Sequence, residues 1–237
     1  MRSSRQGVIL FGVVVGMLCA VAAGHSQVIT GGPPTCKAIA FTFDMCPVRE
    51  GSGYDEPLIK ELIEKQIPAT FFLSGRWVAR HDREVKALLQ VPYFEFGTHG
   101  HVHAHLPMLD AAQQRQEILT AVDLLRTRYE RPTTLFRPPY GEYDDTTLEL
   151  VNALGLRFIL WNAVSGDPDP HLTRERMDAN LLATIRNGSM LVFHSNGKGR
   201  HTREVVADLY QALVVSRGFK AVTVTELLSG CENGTRR

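Results

Sequence analysis

Tyr93-Phe94-Glu95-Phe96-Gly97-Thr98-His99-Gly100-His101-Val102-His103-Ala104-His105-Leu106 joins a short apolar run to four of the nine histidines of the chain. Phe94–Gly97 has the length and composition of a buried strand, so the histidines begin where that strand ends. Imidazole is the commonest neutral nitrogen ligand for zinc and its neighbours. A helical turn after the strand predicts that His99 and His103 share one face, and His101 and His105 another. In isolation a solvated His-rich loop reads the same way, so the surroundings decide.

Outward from this stretch, the chain alternates strand and helix. Toward the amino terminus lie the strand runs Ala38–Phe43 and Ala69–Leu73. Between them Asp55-Glu56-Pro57 opens a helix carrying Leu58, Ile59, Leu62 and Ile63, with Pro57 suited to its first turn. A second helix is expected around Asp82–Leu89. Toward the carboxyl terminus, Asp110 with Gln113 resembles a capping box for a long helix through Ile118, Ala121, Val122 and Leu125. Strands are expected at Leu135-Phe136, Arg157–Trp161, Met190–Phe193 and Ala221–Val224. Helices separate them: Asp144–Leu154 ending at Gly155, one capped by Thr173, and one through Val205, Val206, Leu209 and Leu213 that stops at Gly218. Such alternation with apolar strands predicts an α/β fold, a parallel sheet covered by helices. About seven repeats, with no glycine-rich dinucleotide turn after the first strand, favour a barrel over an open sheet.

At the amino terminus, Arg2 and Arg5 precede an uncharged apolar run from Val8 to Ala23, followed by small residues. Residues 1–24 read as a cleaved secretory signal, so the protein is expected to be exported, periplasmic or secreted, with no membrane span after cleavage. Residues 25–35 form a short linker, 36–228 a single domain, and 229–237 a tail. Lys and Arg number 26 against 25 acids, and removing the signal moves the formal balance from +1 to −1. That near-neutrality gives no electrostatic footprint for nucleic acid, and a monomer is expected. Export permits disulfides, and Cys36, Cys46 and Cys231 survive cleavage. The extended strand between Cys36 and Cys46 separates them too far for a bridge, leaving Cys36 with Cys231 and Cys46 as a free thiol.

Several polar residues fall at the carboxyl ends of the expected strands, where barrel enzymes keep their chemistry. Asp44 ends the first, His99 follows the third, Arg137 the fourth, Asp167 the fifth, and His194 ends the sixth. Any one alone reads equally well as a turn aspartate, a surface charge or a strand-end histidine. Together, on one edge beside a histidine cluster, they read as a site.

In order and content these residues resemble the polysaccharide deacetylases, the NodB-homology carbohydrate esterases of family 4. Thr42-Phe43-Asp44 matches their first motif in part, and His99 with His103 and Leu106 the second. Arg137-Pro138-Pro139-Tyr140-Gly141 matches the third, Trp161 through Asp167 the fourth, and Leu191-Val192-Phe193-His194 the fifth. The resemblance implies a distorted (β/α)-barrel that hydrolyses N-acetyl or O-acetyl groups of a polysaccharide or oligosaccharide with a divalent metal, usually zinc. It implies His99 and His103 as metal ligands, Asp44 as general base and His194 as the acid that protonates the departing amine. Arg137 and Asp167 would pair and orient the base. Tyr140, the first backbone N–H after two prolines, and Trp161 would contact substrate.

The first motif departs from that pattern. Its usual second aspartate, the third metal ligand, is Met45, and a thioether is a poor zinc ligand. Cys46, two residues beyond Asp44, or His101 is placed to substitute, although Cys46 reads more readily as a small buried hydrophobe. Gly100 stands where the second motif has Ser or Thr. In the fourth, Val164 replaces an aspartate and Pro168 an aromatic. Two alternatives follow: a saccharide-binding relative with weak or no turnover, and a hydrolase of non-sugar linear or cyclic amides. A serine hydrolase is excluded because no Gly-x-Ser-x-Gly occurs.

Overall fold

The computed structural model describes residues 27–230. The expected signal segment and Cys231 lie outside them. Among the described residues nine strands form one sheet: β1 (Val28–Ile29), β2 (Ala38–Met45), β3 (Ala69–Leu73), β4 (Phe94–Thr98), β5 (Leu135–Phe136), β6 (Arg157–Ile159), β7 (Ala163–Val164), β8 (Ser189–His194) and β9 (Lys220–Ala221). Their order is β1-β6-β5-β4-β3-β2-β8-β7, with β9 added to the start of β2, and every strand pairing is parallel. The sheet curls. Gly31, just past the edge strand β1, bridges Ser189 of β8, and Leu160–Asn162 carries the chain across the remaining seam from β6 to β7. The result is the distorted (β/α)-barrel expected.

Helices α1 (Glu56–Glu64), α2 (Gly75–Arg80), α3 (Asp82–Leu88), α4 (Ala111–Tyr129), α5 (Asp145–Ala153), α6 (Arg174–Thr184), α7 (Thr202–Leu209) and α8 (Val224–Leu228) cover it. The expected capping box is present on α4, where Asp110 accepts from the Gln113 N–H and Gln113 reaches back. Ala221–Val224 is not a strand. Lys220–Ala221 pairs briefly with β2, and Thr223 then caps α8 with Glu226 completing a capping box, so Val224 opens a helix. Helix α2 had no apolar stripe to announce it.

The alternation of β2 sets the two sides of the sheet. Ile39, Phe41, Phe43 and Met45 face the helices, packed with Phe71, Leu191 and Phe193, and the Phe43 ring lies 5.4 Å from Phe71 and 5.8 Å from Phe193. Burying each such side chain stabilises by roughly 1.5–3 kcal/mol. Ala38 and Ala40 face the barrel interior with Phe72 and Met190, and Thr42 and Asp44 continue that inward series toward the carboxyl end. The floor of the barrel is therefore apolar and its mouth polar. Cys46 is free and buried, whereas Cys36 is disulfide-bonded.

Candidate active site

The deepest group at the mouth is Arg137, fully buried just after β5. Its Nη1 donates to Thr42 Oγ1 and to Asp44 Oδ1, each at 2.8 Å, and its Nη2 donates to the Leu160 carbonyl at 3.0 Å. The Phe72 ring lies under the guanidinium at 3.9 Å. Asp44 is thus held in one orientation. Burial opposes its charge, but Arg137 first, then His99 and His194, hold its carboxyl below the usual carboxylate range.

His99 is fixed by the same segment. Its Nδ1 lies 2.9 Å from the Arg137 carbonyl, which can only accept, so Nδ1 carries the proton. Nε2 then faces Asp44 Oδ2 at 3.7 Å and is open to the cavity. His103 does not reach it along a helix. Residues 99–105 form a loop in which Gly100 (φ +65°) and His103 (φ +67°) both take left-handed conformations. Such a conformation costs a non-glycine residue about 1–2 kcal/mol, so something must hold it. Glu117 of α4 does: its buried Oε1 accepts from the N–H of Val102 at 2.7 Å and of Ala104 at 3.2 Å. A Cβ at Gly100 would lie 3.0 Å from that same oxygen, which accounts for glycine there.

The loop brings the His103 ring to 4.9 Å from that of His99. The ligand atoms of Cys46, His99 and His103 all lie within 4.8 Å of one another, a set that could hold a metal ion. Met45 is on the opposite side of β2, in the helix-facing core, where Ser195 Oγ donates to its sulfur. His101 does not join the set. Its ring is pressed against Gly75 at the start of α2, with Nδ1 buried and unpartnered. His105 turns outward, bonded to Glu142 at 2.8 Å and stacked on Tyr140 at 4.0 Å.

Burial alone would raise the Cys46 thiol, but His99, then hydrogen bonds from His103 and His194, hold it well below its ordinary range. A thiolate and a carboxylate among imidazoles is an arrangement in which a cation can take the place of protons. The donor chemistry, one sulfur and two nitrogens, fits zinc.

On the adjacent strand β8, in register with Asp44, His194 Nδ1 donates to Asp167 Oδ1 at 2.9 Å, while the His194 backbone N–H donates to Asp167 Oδ2 at 2.8 Å. Ser165 Oγ and Thr202 Oγ1 also donate to Asp167, at 2.9 and 2.8 Å. The expectation that Asp167 pairs with Arg137 and orients the base is therefore corrected. Arg137 orients Asp44, and Asp167 orients His194. Burial opposes the imidazolium, but hydrogen bonds to Asp167 and Cys46 push the His194 pKa up to about 10.

Asp44, Cys46, His99, His103, His194 and Asp167 line one cavity of about 360 Å³, with Tyr140 and Trp161 at its rim. Tyr140 is held at φ +61°, and Trp161 packs on Gly141, where a Cβ would lie 2.9 Å from the indole. Glu117, Ser165 and Thr202 were not singled out in the sequence. Only Glu117 left a signal there, as a charged residue on the stripe that α4 buries (Gln114, Glu117, Ile118, Ala121, Leu125).

Comparison with known proteins adds three findings. Residues 31–159 match the family model described as polysaccharide deacetylase. Among curated relatives, the chain is 24% identical over 203 residues to the Bacillus subtilis protein YlxY, covering 83% of this chain and 59% of that protein. It is 23% identical over 197 residues to a peptidoglycan-N-acetylglucosamine deacetylase of Bacillus cereus, covering 83% and 70%. Among solved structures, a family 4 carbohydrate esterase pseudoenzyme from Bacillus anthracis superposes with a TM-score of 0.76 at 22% identity, covering 85% of this chain and 69% of that one. The chain thus spans less than two thirds of the length of YlxY.

Proposed function

The chain belongs to the polysaccharide deacetylase family, and on that premise we propose that it is an exported hydrolase that removes acetyl groups from an acetylated polysaccharide or oligosaccharide. One observation carries this reading. Asp44 on its Arg137 support and His194 on its Asp167 support face one cavity, which Cys46, His99 and His103 also line. A groove that only bound saccharide would have no use for a matched, separately supported base and acid.

The residues divide the reaction as follows. Cys46, His99 and His103 would hold a divalent metal, zinc by the donor set, which when bound would supply Lewis-acid polarisation of an acetyl carbonyl and lower the pKa of water. Asp44, ionised and tied through Oδ1, turns Oδ2 to the cavity and takes the proton of the attacking water. The Tyr140 backbone N–H is offered to the oxygen on which charge develops. His194, protonated at neutral pH, gives its proton to the departing sugar nitrogen. Water is consumed, and acetate and a free amine leave. The rings of Tyr140 and Trp161 flank the sugar.

The test is acetate release from an N-acetylglucosamine oligomer, with the free amine measured alongside. Release that stops with a chelator and returns with zinc is expected. Oligomer binding without acetate would instead favour the saccharide-binding reading, which the likeness to a pseudoenzyme keeps in view.

A further inference from the structure

Beside the catalytic cavity lies a larger groove of about 910 Å³ that shares His103, Tyr140 and Lys198 with it. Its walls carry Arg49 on the loop after β2, Arg76 and Arg80 one turn apart on α2, and Lys198 on the loop after β8. The one acid lining it is Glu50. In a chain of 26 cations and 25 acids, four against one is a local departure. None of these four cations has an ion pair or side-chain hydrogen bond among the described residues. Elsewhere on the surface Arg83, Arg128, Arg174 and Arg203 each hold an acid. The segments that carry these cations are tied to the end of β2, since Cys46 O accepts from Asn196 Nδ2 at 3.0 Å and Met45 O from Ser74 Oγ at 3.1 Å.

We propose that this groove is a subsite for a carboxylate-bearing sugar unit, so that the substrate is an acidic acetylated saccharide rather than a neutral one; this rests on the deacetylase reading of the adjoining cavity. The catalytic cavity has room for the acetylated unit and the groove for its neighbour. Unpaired arginines leave their planar donors available for a carboxylate, which they grip in two-pronged fashion. Arg49 comes from the loop after β2, Lys198 from that after β8, and Arg76 with Arg80 from α2, so a chain leaving the cavity by the shared residues His103 and Tyr140 enters a groove that all four cations line.

The experiment is calorimetric titration of the metal-loaded protein with two tetrasaccharides. One is the N-acetylglucosamine tetramer, and the other alternates N-acetylglucosamine with glucuronic acid. The acidic tetramer is expected to bind about tenfold tighter at low salt, an advantage of ~1.4 kcal/mol. It should lose that advantage near ~1 M salt, where charges are screened within about 3 Å. Arg76→Ala with Arg80→Ala, both exposed, should bring the acidic tetramer down to the neutral one and leave neutral binding unchanged. Equal affinity for the two tetramers overturns the proposal, as does a preference that survives the double substitution or high salt. Acetate release is followed on both tetramers in parallel. Turnover of both with equal affinity rejects the subsite and spares the deacetylase, whereas a salt-sensitive acidic preference without acetate does the reverse.

Discussion

Met45 and Cys46 are neighbours at the end of β2, and the pleat sends them to opposite sides of the sheet. Met45 joins the helix-facing core, while Cys46 faces His99 and His103. The cobalt-substituted protein should therefore show a near-ultraviolet thiolate-to-metal charge-transfer band that Cys46→Ser abolishes. Zinc affinity should fall at least about tenfold in that variant, or ~1.4 kcal/mol. A parent spectrum without the band, or one unchanged by Cys46→Ser, would remove Cys46 from the ligand set. The sequence made Asp44 and Cys46 co-facial by counting residues, yet left Cys46 open as a ligand or a small hydrophobe. That ambiguity is physical. Whether the pleat continues one residue past Met45 depends on the Asn196 side chain bonded to the Cys46 carbonyl, 150 residues away. The swap of partners between Arg137 and Asp167 has the same origin. Strand-end positions put both at the mouth, but Ser165 and Thr202, which hold Asp167 beside His194, are unremarkable in the sequence.

Among elements, the packing of α6 on α7 makes a pH-sensitive contact away from the site. Arg174 donates to Asp208 at 2.8 Å, and Asp178, one turn along α6, faces the same pair. Burial first, and then the charge of Asp208, push the Asp178 pKa up to about 6. Because the folded value is raised, the folded protein keeps a proton that the unfolded chain releases. The stability this group contributes is complete below the unfolded value of 3.8 and is lost as pH rises to about 6. Asp178→Asn should accordingly gain stability relative to the parent between about pH 4 and pH 7, read as the difference in urea midpoints. A difference that stays constant across that range would contradict the assignment. Elements with their own chemistry were readable from sequence: the Asp110–Gln113 box, Thr173 as a cap, and the aromatic runs of β3 and β4. The histidine loop was not, because its shape comes from a distant Glu117 and two left-handed residues rather than from a helical period. The end of the chain was misread for a related reason: Ala221–Val224 has strand composition, but Thr223 and Glu226 cap a helix.

At the scale of the whole molecule, the parallel barrel gathers at one mouth residues from β2, from the loops after β4, β5 and β7, and from β8, spanning 150 residues from Asp44 to His194. Asp44 and His194 are partners in register on adjacent strands, so the sheet itself fixes the separation between the proposed base and acid. Breaking the buried Arg137–Asp44 pair from either side leaves an uncompensated charge and costs about 3–5 kcal/mol, so Asp44→Asn is compared only as folded protein, beside His194→Ala, which leaves that pair intact. The most direct measurement is acetate release from an N-acetylglucosamine oligomer by the zinc-loaded parent, by each of these two variants and by the double variant, at equal metal content. Each single substitution should lower turnover by ~10²–10⁴-fold, and the double should fall little below the worse single, because base and acid serve one reaction. Acetate released at the parental rate by either folded single variant, or none released by the metal-loaded parent, would contradict the assignment.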